Sequence, residues 1–362
     1  MCPTNCIEMK SDFEGFKQPF VDSDRCINCK QCLNLCPVLN FRENHEKIND
    51  LKQAYAYKTK YDDYRELCSS GGVFLALSNV FVRNGGIVYG AVFDEEFKLK
   101  HKSATTSEEL LQMAGSKYLQ SDINSVYIEI KEWLSCGKKV LFFGMTCQVE
   151  GLHAFLGGIY DNLFCVDLIC MGIPSPMVWE KYLKVYYGKK TIKRINFKDK
   201  SLGWHRFSFY LENEDGSFES VPGFDNVYME CMFKGYSIRR SCFNCIYKCE
   251  NKMADVTIAD CWGCENYVSD LDDNKGLSMI IVHSEKGLAL VEMLKNTGIL
   301  REFPYENVLK YNSNYNSSTV LANGREKFYK LLNYIPRFAF ELMGQNPNKS
   351  FIRRVLDKLE RG

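Results

Sequence analysis

The strongest constraint in the chain is the run Cys26-Ile27-Asn28-Cys29-Lys30-Gln31-Cys32-Leu33-Asn34-Leu35-Cys36-Pro37, spaced Cys-x2-Cys-x2-Cys-x3-Cys-Pro. Two-residue gaps let three successive thiolates curl around one cubane 4Fe-4S cluster. The fourth Cys, set before a Pro, points away and ligates the other cluster in two-cluster proteins. A structural zinc site is the alternative, but zinc usually pairs two knuckles at a distance instead of taking four Cys from one run.

The opening Cys2-Pro3-Thr4-Asn5-Cys6-Ile7-Glu8-Met9 has the form of the tail of a preceding half-motif. The other three cysteines of that half would lie upstream of Met1. The crossed-ligand pattern then gives Cys26, Cys29 and Cys32 a remote fourth ligand in Cys2. Cys36 is left free or belongs to a second cluster; placing it on the same cluster as the other three is the alternative. Cys6 reads as packing. The expectation is one or two 4Fe-4S clusters in a ferredoxin-type module over residues 1–45.

Seventeen cysteines is a high count, and in a reducing compartment such enrichment points to metal binding, not disulfides. The interrupted apolar character near Cys2, Pro3, Asn5 and Glu8 argues against a signal peptide, so a cytoplasmic protein is expected. No apolar run of about 18 residues suggests a transmembrane helix. A net charge of +1 gives no whole-protein field for nucleic acid or acidic lipid. At 362 residues, two or three domains are expected.

Residues 46–67 are polar and Tyr-rich and read as a connector. Beyond them the pattern turns to α/β. Ser69-Ser70-Gly71-Gly72 precedes a helical stretch from Val73 to Val82, where free backbone N–H groups can meet an anion. Strand signals follow at 87–93, 140–143 and 163–169, and helix signals at 107–113, 122–136, 149–156 and 177–186. Gly115-Ser116-Lys117-Tyr118 forms a loop that can neutralise a phosphate or serve as a solvated turn. Gly144-Met145-Thr146-Cys147-Gln148 joins a buried strand to a helix, the usual place for a site in an open α/β sheet. Residues 190–222 alternate as strands around the turn Glu214-Asp215-Gly216 and read as an inserted antiparallel hairpin.

A second cysteine group is Cys242-x2-Cys245-x3-Cys249, with Cys261 brought back by a strand-like run over 254–260. These four supply enough thiolates for another cluster, with zinc or buried free thiols as alternatives. A strand over 276–283, a helix over 285–294 and a basic helical tail over 340–361 end the chain.

In this order the segments CSSGGVF (68–74), GGIVYGAVFD (85–94), GSKYLQS (115–121), GMTCQVEGL (144–152), DLICMGIPSPMVW (167–179), CFNC (242–245), ADVTIADCWG (254–263) and KGLSMIIVHSEKG (275–287) resemble the beta-subunit family of coenzyme F420 (deazaflavin) hydrogenases and dehydrogenases. The resemblance implies a ferredoxin-like module followed by an FAD-binding α/β domain over 68–300 and a helical tail over 301–362. It implies a flavin- and iron–sulfur-dependent oxidoreductase. Its partners would be a ferredoxin or another redox protein, a small-molecule hydride donor or acceptor, and further subunits. Ser69, Ser70, Gly71, Gly72, Ser116, Lys117, Tyr118, Gly144, Thr146, Cys147 and Gln148 are then the candidates for the flavin and its phosphates. Met145 stands where the family commonly has Pro, and Met171 where it commonly has His.

Overall fold

The computed structural model describes residues 2–41, 51–188 and 191–345. A hairpin of β1 (Ile7–Ser11) and β2 (Lys17–Val21) forms the N-terminal module with the cysteine run behind it. The main body is an eight-stranded mixed sheet. Its strands are β3 (Gln53–Thr59), β4 (Ile87–Phe93), β5 (Leu99–Ala104), β6 (Val140–Met145), β7 (Leu163–Leu168), β11 (Val256–Asp260), β12 (Ser278–Val282) and β13 (Gly298–Phe303). They lie side by side in the order β13-β3-β12-β11-β7-β6-β4-β5. β4, β6, β7 and β11 run parallel, so their C-terminal ends share one edge.

Side-chain alternation splits the sheet's two faces. Leu141, Val166 and Ile258 join one apolar cluster with the helices Val73–Arg83 and Glu285–Leu294. Val140, Phe142, Leu163 and Cys165 join another with the helices Val126–Ser135 and Thr146–Leu156. Covering both faces is what near-continuously apolar parallel strands require.

The expected 190–222 hairpin is a three-stranded antiparallel sheet of β8 (Ile192–Asp199), β9 (Ser208–Asn213) and β10 (Phe218–Pro222). It has its own aromatic core of Trp179, Tyr182, Phe197, Phe209 and Tyr228, closed by the helices Arg325–Tyr334 and Pro336–Met343. Two expectations change. Part of the 46–67 connector is β3, bonded to both β12 and β13, with Ala54, Ala56 and Tyr57 buried. Much of the 301–362 tail packs into the body, burying Phe328, Leu332 and Phe340. The basic residues Arg353, Arg354, Lys358 and Arg361 lie outside the described residues.

The module is keyed to the body through its hairpin turn. Glu14, 2% exposed, is held by both terminal nitrogens of Arg325, itself 3% exposed, with Nη2 donating to Oε2 at 2.6 Å. Arg240 Nε adds a bond at 3.1 Å, and Ser175 Oγ donates to the Glu14 carbonyl.

Candidate functional site

The C-terminal ends of β6 and β7 open into a small cleft. Four thiols line it: Cys147 from the first turn of the helix that follows β6, Cys170 from the turn after β7, and Cys242 and Cys245 from the facing loop. Met145 and Leu168 are paired in the parallel register, and Cys147 and Cys170 each follow two residues later. Thr146, Tyr247, Lys248, Lys252, Thr257 and Tyr315 complete the wall.

The turn after Cys170 supplies backbone donors to sulfur. Gly172 N–H donates to Cys170 Sγ at 3.2 Å, and Ile173 N–H bonds Cys242 Sγ. Gly172 has φ of 129°, and a Cβ there would lie 2.5 Å from Ile238 Cγ2 and 3.4 Å from Cys242 Cβ. Only a glycine lets this turn come so close to the thiols. Burial, followed by repulsion among neighbouring thiolates, pushes Cys147 and Cys170 up and Cys242 up to about 11. An iron core reverses that logic, because bound cations stabilise the thiolates. Thiolate donors with N–H bonds to sulfur are the environment that 4Fe-4S clusters take, so these residues fit the group.

Beneath the cleft lies a polar network. Thr146 Oγ1 donates to Asp167 Oδ2 at 2.6 Å, and Thr257 Oγ1 donates to Asp167 Oδ1. That leaves His283 Nε2 as the donor to Thr257 Oγ1, at 2.8 Å. Burial raises the Asp167 carboxyl and holds His283 neutral, down to about 3. Lys252 Nζ, also buried, donates to Tyr247 O at 2.7 Å.

This geometry corrects the expected second thiol group. Cys242 and Cys245 stand at the cleft, but Cys261 is fully buried in a separate core, beside Cys264 and 3.3 Å from Tyr267 Oη. Cys249 does not line the cleft, and its thiol donates to Asn251 O at 3.0 Å. The strand before Cys261 turns its end into the core formed with β12, away from the knuckle. Cys147, expected beside the flavin, and Cys170 line the same cleft as Cys242 and Cys245.

Several of the expected phosphate donors are engaged within the protein. Gly71 N–H donates to Ser278 Oγ at 2.8 Å, and Ser70 Oγ to Leu277 O at 2.6 Å. A Cβ on Gly71 would overlap Tyr57 O and sit 2.6 Å from Ser278 N, so the turn is glycine for packing. Gly72, with φ of 92°, packs against Thr59. Ser69 Oγ accepts from Ser116 N–H at 2.6 Å. Lys117 Nζ donates to the carbonyls of Met113, Ala114 and Gly115, and burial brings it down to about 7. Gln148 caps its own helix, accepting from Met145 N–H at 2.8 Å, and a Cβ on Gly144 would clash with the Phe142 ring. Tyr118 is half-buried, and its carbonyl accepts from Tyr228 Oη at 2.7 Å. The Ser70 hydroxyl, the Gly71 N–H and the Lys117 ammonium are thus committed to contacts within the protein.

In the N-terminal module, Asn28 (φ 53°) and Lys30 (φ 60°) are left-handed on either side of Cys29. Such turns gather backbone N–H groups into nests that suit anionic clusters. Cys29 and Cys32 are exposed, and Cys26 and Cys36 half-buried. Cys6 is 2% exposed, as packing predicts, and lies 3.3 Å from Cys2 Sγ, with Cys26 also within electrostatic reach. Hydrogen bonds from the Thr4 hydroxyl and the Cys6 backbone bring the Cys2 thiol down to about 6. The inner end of the module meets the cleft: the Phe41 ring stands edge-on to Tyr247 at 5.5 Å. Among the described residues, no three His, Cys, Asp or Glu side chains converge on a single ion, and no helix is long and apolar enough to cross a membrane.

Comparison with known proteins follows the same division. Residues 1–40 match the 4Fe-4S dicluster domain, and residues 137–308 match the C terminus of the family "Coenzyme F420 hydrogenase/dehydrogenase, beta subunit". The coenzyme F420-dependent sulfite reductase of Methanocaldococcus jannaschii is 26% identical over 328 residues, covering 80% of this chain and 48% of that protein. The F420-dependent formate dehydrogenase subunit beta of the same organism is 26% identical over 201 residues, 54% of this chain and 46% of that one. The chain thus spans about half the length of these curated relatives. A chain of the F420-reducing [NiFe] hydrogenase complex from Methanosarcina barkeri aligns over 87% of this chain and 94% of its own, at 18% identity and a TM-score of 0.47, too low to carry an argument. The chain thus carries a match to a 4Fe-4S dicluster domain at its N-terminus and, behind it, a match to the C-terminal domain of the coenzyme F420 hydrogenase/dehydrogenase beta subunits.

Proposed function

We propose that this protein is an iron–sulfur electron-transfer subunit of a hydride-linked oxidoreductase. It would hold one 4Fe-4S cluster on Cys2, Cys26, Cys29 and Cys32, and a second on Cys147, Cys170, Cys242 and Cys245. The observation that carries this reading is the four-thiol cleft, two of whose sulfurs receive backbone N–H groups from Gly172 and Ile173. A bound cluster supplies one-electron storage. The chain's own residues hold it against the strand ends, exclude water with Tyr247 and Tyr315, and place the Asp167 network and Lys252 beneath it.

Two relatives act with F420 by name, and a deazaflavin is the hydride partner this supports. A ferredoxin-like carrier would stand at the one-electron end. FAD, expected as the converter between hydride and single electrons, is the finer part of the proposal. Of the donors expected for its phosphates, Ser70, Gly71 and Lys117 bond within the protein. Anaerobic quantification of iron, sulfide, zinc and flavin tests the whole reading. Two clusters give about eight iron and eight sulfide per chain; stoichiometric zinc without sulfide overturns it. Reduction by a reduced deazaflavin, compared with NAD(P)H, separates an enzyme from a relay subunit with no substrate site of its own.

A further inference from the structure

Tyr247 occupies a position that the two-cluster reading does not account for. It follows Cys245 by two residues and lines the cleft, 7% exposed. Its far side meets the N-terminal module: the Phe41 ring is edge-on at 5.5 Å, and Cys36 is within electrostatic reach, as are Cys147 and Cys245. Its hydroxyl is buried with no hydrogen-bond partner among the described residues. A buried Tyr whose role is packing usually finds its hydroxyl a partner. This one gives up that bond and keeps an aromatic ring between two thiol groups.

We propose that Tyr247, with Phe41 against it, is the relay through which the N-terminal module exchanges electrons with the inner four-thiol site. The proposal rests on the two-cluster reading above. One electron leaves the module's cluster and one arrives at the inner cluster; no bond forms and no proton moves. The ring's part is to fill the gap with polarisable, close-packed matter where a smaller side chain would leave a void. Cys36 is half-buried, whereas Cys29 and Cys32 are exposed.

The test uses the anaerobic full-length protein, reduced by one electron with a photoexcited dye and sampled by rapid freezing and EPR. Three variants are compared with wild type: Tyr247→Phe, Tyr247→Leu and Phe41→Leu. The readout is the rate of equilibration between the two clusters, not turnover. Tyr247→Phe, which keeps the ring, is expected to equilibrate as wild type does. Tyr247→Leu protein that retains its full iron content is expected to equilibrate slower by an order of magnitude or more. Wild-type rates in an iron-replete Tyr247→Leu protein overturn the relay. If that variant fails to take up iron, Phe41→Leu decides, and a wild-type rate there overturns it equally. Wild-type protein lacking one of the clusters would sink the two-cluster reading instead, so the two failures are distinguishable.

Discussion

Replacing Glu14 by Gln should loosen the N-terminal module without unfolding the body. The carboxylate and the Arg325 guanidinium are both almost fully buried, at 2% and 3% exposure. Arg325 has a further bond to Ile238 O at 2.7 Å, and its Nε has no partner among the described residues. Removing one member of such a pair strands the other charge in a dry site, at a cost of about 3–5 kcal/mol. Arg240, whose side chain is 59% exposed, contributes little to this sum. The cost falls on docking, because Glu14 sits on the turn of a hairpin whose strand β2 is exposed throughout. A penalty of about 3 kcal/mol raises the population of the undocked module roughly a hundredfold. Hydrogen exchange of residues 7–21 in the anaerobic holoprotein reads that population directly. The double variant Glu14→Leu/Arg325→Met removes both charges and should recover most of the loss, as buried pairs replaced by apolar side chains often do. A Glu14→Gln protein exchanging less than about fivefold faster, an effect near 1 kcal/mol, would refute the reasoning, as would strictly additive single substitutions.

Other perturbations follow from the same geometry. Cys170→Ser should lose one cluster, about four of eight iron, whereas Cys249→Ser and Cys261→Ser should keep both; iron and sulfide analysis checks this. Gly71→Ala should cost about 3 kcal/mol by overpacking against Tyr57 O and Ser278, with no change in iron or flavin content, because the turn serves packing; the denaturation midpoint shows it. Burial holds His101 down to about 4, so its neutral form contributes stability above pH ~6.5 that is lost as pH falls toward 4. Relative to His101→Gln, wild type should therefore lose about 1.4 kcal/mol between pH 7.5 and 5.5, measured as paired denaturation midpoints; a constant difference would sink that assignment.

Much of the α/β body is legible in the sequence because its signals are local. The helix Glu285–Leu294 and the strand β4 fall where periodicity and flanking glycines put them. β3 escapes for a physical reason. Its alternation of Ala54 and Ala56 with Tyr55 and Tyr57 lies in a stretch rich in Lys and Tyr, and the partners that bury it, β12 and β13, come more than two hundred residues later. The C-terminal helices escape similarly: Arg325–Tyr334 is polar on average, and only the packing of Phe328 and Leu332 against the second core shows that it is not a solvated tail.

The thiol site shows where a linear reading stops and what extends it. The knuckle Cys242-x2-Cys245 is visible because ligand spacing is short-range, and the natural search for its partners runs forward to Cys249 and Cys261. The thiols that share its cleft come from earlier in the chain, through the parallel pairing of β6 with β7. In a parallel pair, residues at the same offset past paired strand ends leave the sheet on the same side and at the same height. Cys147 and Cys170 are such a pair, each two residues beyond Met145 and Leu168. Cys147, in the first turn of the helix after β6, and Cys170, in the turn after β7, thus reach one cleft from paired strand ends, once the strands are taken as neighbours. Cys261, one residue past Asp260, enters the core instead.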